Sequence, residues 1–167
     1  MALRGYLQGY RGYADTQALG DALKALQAQG LDQLPLPGSG QTLVRWRGLA
    51  QVAGHDLRLC KLFEGHTDAL AIIAELDAPL PPLCSTWGMW AAEPPNAKVR
   101  VYREGHRLRL EGRKAWCSGA AVVSHGLLTA WDEQDRQQLV AVQMDQPHVT
   151  VTDEGWQAVG MAATGSV

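Results

Sequence analysis

The stretch KVRVYREGHRLRLEGRKAWCSGA, residues 98–120, decides how the chain is read. Val99 and Val101 alternate with charged or polar neighbours, Glu104-Gly105 forms a turn, and Leu108 and Leu110 alternate with Arg107, Arg109 and Glu111. A period of two on both sides of a glycine turn is the mark of a β-hairpin, because successive side chains of a strand point to opposite faces. Further strand candidates follow at Gly126–Trp131, Gln138–Met144 and Val149–Thr152, separated by the turns DEQDRQ and DQPH. Short strands at such regular spacing predict an antiparallel barrel or sandwich.

Upstream of residue 80 the apolar period changes to that of a helix. Leu19, Leu23 and Leu26 fall on one face beside Ala18, Ala22 and Ala25, with Asp15 or Thr16 as cap and Gly30 as terminator. LDQLPLPGSG reads as a loop, since Pro35 and Pro37 remove amide donors and fix φ. Ser39 is placed to cap a second helix with Leu43, Val44, Trp46, Leu49 and Ala50 on its apolar side. Asp56 caps a third, whose buried stripe is Leu59, Leu62, Phe63, Leu70 and Ile73, with Gly65 in its middle. The proline-rich DAPLPPLCSTWG then crosses to the strands. The expected fold class is α+β: a helical N-terminal region over 1–79, followed by an antiparallel β-barrel or sandwich domain over 80–167.

Hydrophobic residues make up 46% of the chain and charged residues 19%, so a packed core is expected rather than disorder. The net charge of −2 argues against a partner bound through many phosphates, and no nucleic acid is expected. Arg103, Arg107, Arg109, Arg113 and Lys114 are read as a solvated strand face. Three scattered cysteines, Cys60, Cys84 and Cys117, have no CxxC spacing; they favour a reducing compartment and give no zinc site. The apolar run at Ala69–Leu76 is interrupted by Glu75 and is too short to span a bilayer, so a cytoplasmic location without a membrane partner is expected.

Pattern alone picks out no active site. Ser118, His125 and Asp132 have the residue types of a hydrolase triad, but no GxSxG elbow surrounds Ser118. His66 lies between Glu64 and Asp68, yet at i+2 it points away from both, so a hydrogen-bonded helix histidine is the preferred reading over a metal ligand. PGSG at 37–40 is too short for a phosphate loop.

Four segments in order resemble the acyl-CoA dehydrogenase family. LCKLFEGHTDALAIIAEL looks like a late helix of that family's N-terminal domain. Met89-Trp90-Ala91-Ala92-Glu93-Pro94 is similar to the aromatic-x-x-Thr-Glu-Pro strand that opens its middle β-domain. Residues 98–120 resemble the hairpin ending in Gly-x-Lys-x-Trp-Ile-Thr/Ser, and GWQAVGMAATGSV resembles a later strand of the same domain. This chain has Ala92 where the family usually carries Thr, and Pro94-Pro95-Asn96-Ala97 where Gly-Ser-Asp would follow Glu-Pro.

The resemblance implies an FAD-dependent α,β-dehydrogenation of an acyl-CoA or related acyl thioester. It implies cofactor contacts from Met89, Ala91, Ala92, Trp116, Cys117 and Ser118, with Trp116 against the flavin ring and the Ser118 hydroxyl near N5. No catalytic residue and no metal ligand is assigned. The base is expected in a C-terminal helical domain beyond Val167, which also completes the cofactor pocket and builds a homo-oligomer in the family. The chain alone is therefore expected to hold FAD poorly and to turn over nothing. The alternative expectation is a non-catalytic truncated or split-gene module acting as a scaffold or partner subunit.

Overall fold

Asp15 starts the helical region. Its extended backbone leads into α2 (Thr16–Ala28), and its carboxylate accepts from the Ala18 amide at 2.8 Å. That bond satisfies one of the amides a helix start leaves unpaired. The computed structural model describes residues 2–9, 12–152, 164, 165 and 167. The other helices are α1 (Ala2–Leu7), α3 (Thr42–His55) and α4 (Leu57–Glu75); α4 packs on both α2 and α3, and α1 on α3. Asp56 caps α4 by accepting from the amides of Arg58 at 2.7 Å and Leu59 at 3.1 Å.

Helix α3 departs from expectation in two ways. Gln41, not Ser39, precedes it, and no side-chain cap forms. Its buried side is Gly48 and Val52, whereas Leu43, Val44 and Trp46 are 62%, 50% and 61% exposed. The physical reason is close approach: a Cβ at Gly48 would stand 2.8 Å from the Leu34 methyl, so the helix packs through its smallest residue.

The strands are β1 (Trp87–Trp90), β2 (Val99–Glu104), β3 (Arg107–Gly112), β4 (Cys117–Ser118), β5 (His125–Trp131), β6 (Gln137–Gln143) and β7 (Thr164–Gly165). The hairpin forms as read, with Val99 opposite Gly112 and Glu104 opposite Arg107. The expected all-antiparallel barrel or sandwich does not: the described residues build an open, mixed five-stranded sheet and a two-stranded β4–β7 ladder. Strand β5 pairs antiparallel with β6 along its length. Its other edge takes β1 in parallel over His125–Leu128, and then β2, again parallel, at Trp131. A period of two reports which face is buried and carries no information on strand direction, so the parallel pairs were invisible to it. The Val149–Thr152 candidate is no strand; only Thr152 forms an isolated bridge.

One core joins helices to sheet. Leu59, Leu62 and Phe63 of α4 pack with Leu19, Leu23 and Leu26 of α2, and the same cluster includes Trp90, Val99, Val101, Leu128, Val140 and Val142. Helix α4 lies against β1, where a Cβ on Gly65 would stand at ordinary contact distance, 3.7 Å, from the Met89 amide nitrogen.

Candidate functional site: the edge where two strands end

Gly88 and Gly126 are register partners in the parallel β1–β5 pair. Both lack side chains because the Trp90 indole lies over them: an added Cβ would come within 2.5 Å of that ring at Gly88 and 2.1 Å at Gly126. From there the Trp90 indole Nε1–H donates to the Ser118 carbonyl at 3.1 Å. This clamp joins the end of β1 to β4, so the segments Met89–Ala92 and Trp116–Ser118, remote in sequence, form one edge.

A second tie runs beneath it. Lys114 is fully buried, and its ammonium donates to Glu93 Oε1 at 2.9 Å, to the Thr129 carbonyl at 2.8 Å and to Thr129 Oγ1 at 2.6 Å. Glu93 also accepts from Thr129 Oγ1 and, at 2.8 Å, from the Trp131 indole. Burial pulls the Glu93 carboxyl upward, but its hydrogen bonds from Lys114, Thr129 and Trp131 and the Lys114 charge outweigh this and hold it below its ordinary value of 4.5. Lys114 therefore does not belong to a solvated basic face; its charge is held inside by an ion pair with Glu93 and by two further hydrogen bonds to Thr129. Arg109 does sit at the surface, paired with Glu104 at 2.6 Å and with Glu111. Gly112, which enters this turn, has φ +126, and a Cβ there would collide with the Lys98 carbonyl at 2.2 Å.

Each candidate residue has a definite place. Met89 and Ala92 are half-buried and Ala91 is exposed, just where the chain leaves β1. Trp116 is 46% exposed and sits in the left-handed region at φ +59, an uncommon backbone for a bulky aromatic. Ser118 is half-buried, and its amide donates to the Trp116 carbonyl at 3.1 Å. Cys117 is buried, its thiol directed at the Lys114 carbonyl 3.2 Å away; burial pushes its pKa up to about 12 despite the Lys114 charge. Cys117 thus offers the edge its backbone and not its sulfur. Strand β7 closes the far side, with Cys117 opposite Gly165 and Ser118 opposite Thr164. Most of the GWQAVGMAATGSV segment lies outside the described residues.

Trp116 offers an exposed aromatic face, and Ala91 and Ala92 lie on the segment that the Trp90–Ser118 bond ties to Trp116–Ser118; these residue types suit a planar and partly apolar group. The aromatic face can cover such a ring, and the alanines let it approach the main chain.

The alternative sites do not assemble. His125 begins the seven-residue β5 and Asp132 follows its end, so at about 3.3 Å per residue they stand roughly 20 Å apart. Asp132 instead accepts from Arg136 at 2.8 Å, and His125 stacks on Trp87 with ring centroids 4.7 Å apart. His66 is a buried helix histidine bonded to Asp32 at 3.0 Å, and no metal-binding group occurs among the described residues. No local pattern signalled the burial of Lys114 or its network, which joins three separate segments: Glu93, Lys114 itself, and Thr129 with Trp131 on β5.

No protein-family model and no curated protein matches the chain by sequence. Solved structures do match its fold. FkbI, for biosynthesis of the methoxymalonyl extender unit of the polyketide Fk520, superposes with TM-score 0.79 at 20% identity, over 99% of this chain and 53% of that one. A Mycobacterium smegmatis glutaryl-CoA dehydrogenase in complex with FADH2 gives 0.73 at 14% identity, over 98% of this chain and 49% of that one. A Bacillus anthracis acyl-CoA dehydrogenase complexed with FAD gives 0.70 at 17% identity, over 99% of this chain and 32% of that one. The chain spans from about a third to about half of the length of these structures. What it carries, from α1 to β7, is therefore the acyl-CoA dehydrogenase fold in part.

Proposed function

We propose that the chain is the flavin-holding front portion of an acyl-CoA dehydrogenase-like oxidoreductase, built as a helical unit over 1–79 and a β-unit over 80–167. The observation that carries this reading is the Trp90–Ser118 clamp, which unites Met89–Ala92 with Trp116–Ser118 on one edge. The cofactor reading draws support from relatives of the same fold that hold FAD or FADH2.

Bound FAD would supply the hydride acceptor for α,β-dehydrogenation of an acyl thioester. The chain's own residues bind and orient. Trp116 would cover the ring and exclude water, the backbone of Ala91 and Ala92 would meet its polar edge, and the Ser118 hydroxyl would donate or accept as its partner atom changes protonation. Met89 and the Cys117 backbone complete the contact. Trp116 holds a left-handed backbone, and Lys114, two residues before it, is anchored by its ion pair with Glu93. No residue of this chain is assigned as the base that removes the α-proton. The thioester as substrate is part of the proposal, since one fold hosts several chemistries. Here the family's Gly-Ser-Asp is replaced by a tight turn in which the Ala97 amide donates to the Pro94 carbonyl at 3.0 Å.

Titration of FAD fluorescence with the purified chain tests this. Weak but saturable quenching, lost in Trp116→Ala and retained in Trp46→Ala, is the expected result. Trp46 is the control because it is 61% exposed on α3. Quenching that never saturates, or that both variants lose equally, would overturn the proposal.

A further inference from the structure

His66 lies in the middle of α4 with no solvent exposure, and both of its ring nitrogens are engaged. Nε2 meets Asp32 Oδ2 at 3.0 Å, and Nδ1 meets the Trp87 amide at 3.2 Å. An amide N–H can only donate, so Nδ1 is the bare acceptor, and Nε2 carries the proton it donates to the carboxylate. Asp32, itself 7% exposed, thereby fixes the tautomer that receives Trp87.

Trp87 is the first residue of β1 and the register partner of His125. Its amide is held by a side chain of α4, so the strand is gripped between the β5 ladder and a helix. Two residues on, the α4 backbone at Gly65 meets the Met89 amide with no side chain between them. Strand β1 then runs to Trp90, whose indole rests on Gly88 and Gly126 before reaching Ser118. The strand is short and stiff over Trp87–Trp90, so the position of its first amide sets where its last residues emerge.

We propose that His66 is a positioning residue for the Met89–Ala92 edge: through the Trp87 amide it sets the height at which that edge meets a planar ligand. The ligand's identity as a flavin rests on the function proposed above; the positioning of the edge does not.

Two variants separate the two ring nitrogens. His66→Asn keeps an acceptor near Nδ1 and loses the donor to Asp32. His66→Gln keeps a donor near Nε2 and loses the acceptor for Trp87. Amide shifts and hydrogen exchange over residues 87–92 are read by NMR in the full chain, together with FAD affinity by fluorescence and thermal stability. Both variants should lose stability, because each leaves a buried polar group unpaired. Only His66→Gln should move the amides of Met89, Ala91 and Ala92 and speed their exchange, by about tenfold. The FAD Kd should rise about tenfold in His66→Gln and no more than about twofold in His66→Asn.

Equal effects of the two variants on the edge, or a His66→Gln effect confined to Trp87, would overturn the proposal. If His66→Gln does not fold, His66→Leu, which likewise lacks an acceptor for the Trp87 N–H, gives the same comparison against His66→Asn. It should reproduce the shifts at Met89–Ala92, and an unmoved edge would count against the proposal. Should the wild-type chain bind no FAD, the flavin reading fails, and the amide comparison still decides whether His66 sets the edge.

Discussion

The Trp90 indole N–H reaches the Ser118 carbonyl at 3.1 Å, across 28 residues of chain, and its ring rests on two glycines that are themselves partners across β1 and β5. The geometry couples a packing choice to a polar one: only where Gly88 and Gly126 leave room can the indole lie flat enough to aim Nε1 at β4. Gly126→Ala should lift the ring and break that bond. An overpacking penalty of about 1–3 kcal/mol is expected. Trp90→Phe, which keeps a ring but removes the donor, should cost about 0.5–1.5 kcal/mol, the net worth of one hydrogen bond. Urea unfolding measures both, and near-wild-type stability in Trp90→Phe would show that the clamp contributes nothing.

The Lys114–Glu93 pair should respond to removal of one partner more than to removal of both. Lys114→Met leaves the half-buried Glu93 carboxylate without its cation and with only Thr129 and Trp131 as donors, and a loss of about 1–3 kcal/mol is expected. The double variant Lys114→Met/Glu93→Gln should recover part of it. Chemical denaturation of the three proteins checks this.

The same carboxyl gives a pH signature. Its pKa is depressed in the fold, so its contribution is fully present above the unfolded value of 4.5 and is lost as pH falls through the lower folded value. Stability should decline with acidity over that window, and Glu93→Gln should flatten that part of the decline. Thermal melts from neutral pH down to pH about 3 would show it. An unchanged acid limb in the variant would assign the decline to other carboxyls, of which Asp56 and Asp132 are likewise depressed.

Gly65→Ala should stabilise the protein. The new Cβ would meet the Met89 amide nitrogen at 3.7 Å, an ordinary contact, while alanine gains about 1 kcal/mol of helix propensity over glycine. Gly112→Ala should do the opposite, because there the Cβ meets a main-chain carbonyl at 2.2 Å on a backbone at φ +126. Denaturant midpoints moving in opposite directions are the expected result.

The three thiols should react in order of exposure. Cys84 is exposed, Cys60 half-buried and Cys117 buried, and burial raises the pKa of both Cys60 and Cys117. A thiol reagent at neutral pH should label Cys84 quickly, Cys60 slowly and Cys117 only on unfolding. Prompt labelling of Cys117 in native protein would contradict the burial of β4.

Local features were legible in the sequence because their causes are local. Asp15 and Asp56 cap helices through bonds to amides two or three residues on, and the apolar periods of α2, α4 and β2 reflect one buried face each, whereas β3 keeps its alternation with Leu108 exposed. The face of α3 was misread because Leu43, Val44 and Trp46 outweigh a glycine in any hydrophobic count, whereas packing selected Gly48 for its lack of volume. Among the site residues, Trp116 and Ala91 could be named from motif resemblance, but nothing nearby in the chain announced that Lys114 is buried, that Trp90 reaches Ser118, or that His66 holds Trp87.

Contacts within a few residues, or a single periodicity, made α2, α3, α4, the Asp15 and Asp56 caps, the hairpin and the change of architecture near residue 80 readable from the chain. The strand directions, the α3 face and cap, and the joining of Met89–Ala92 to Trp116–Ser118 came from long-range packing. Those depend on pairings such as Glu93 with Lys114 and His66 with Trp87, 21 residues apart in each case, and on which of two surfaces approaches the other most closely. A hydrogen bond across that separation leaves no periodic trace in a chain, because its partners are chosen by the fold that brings them within 3.2 Å.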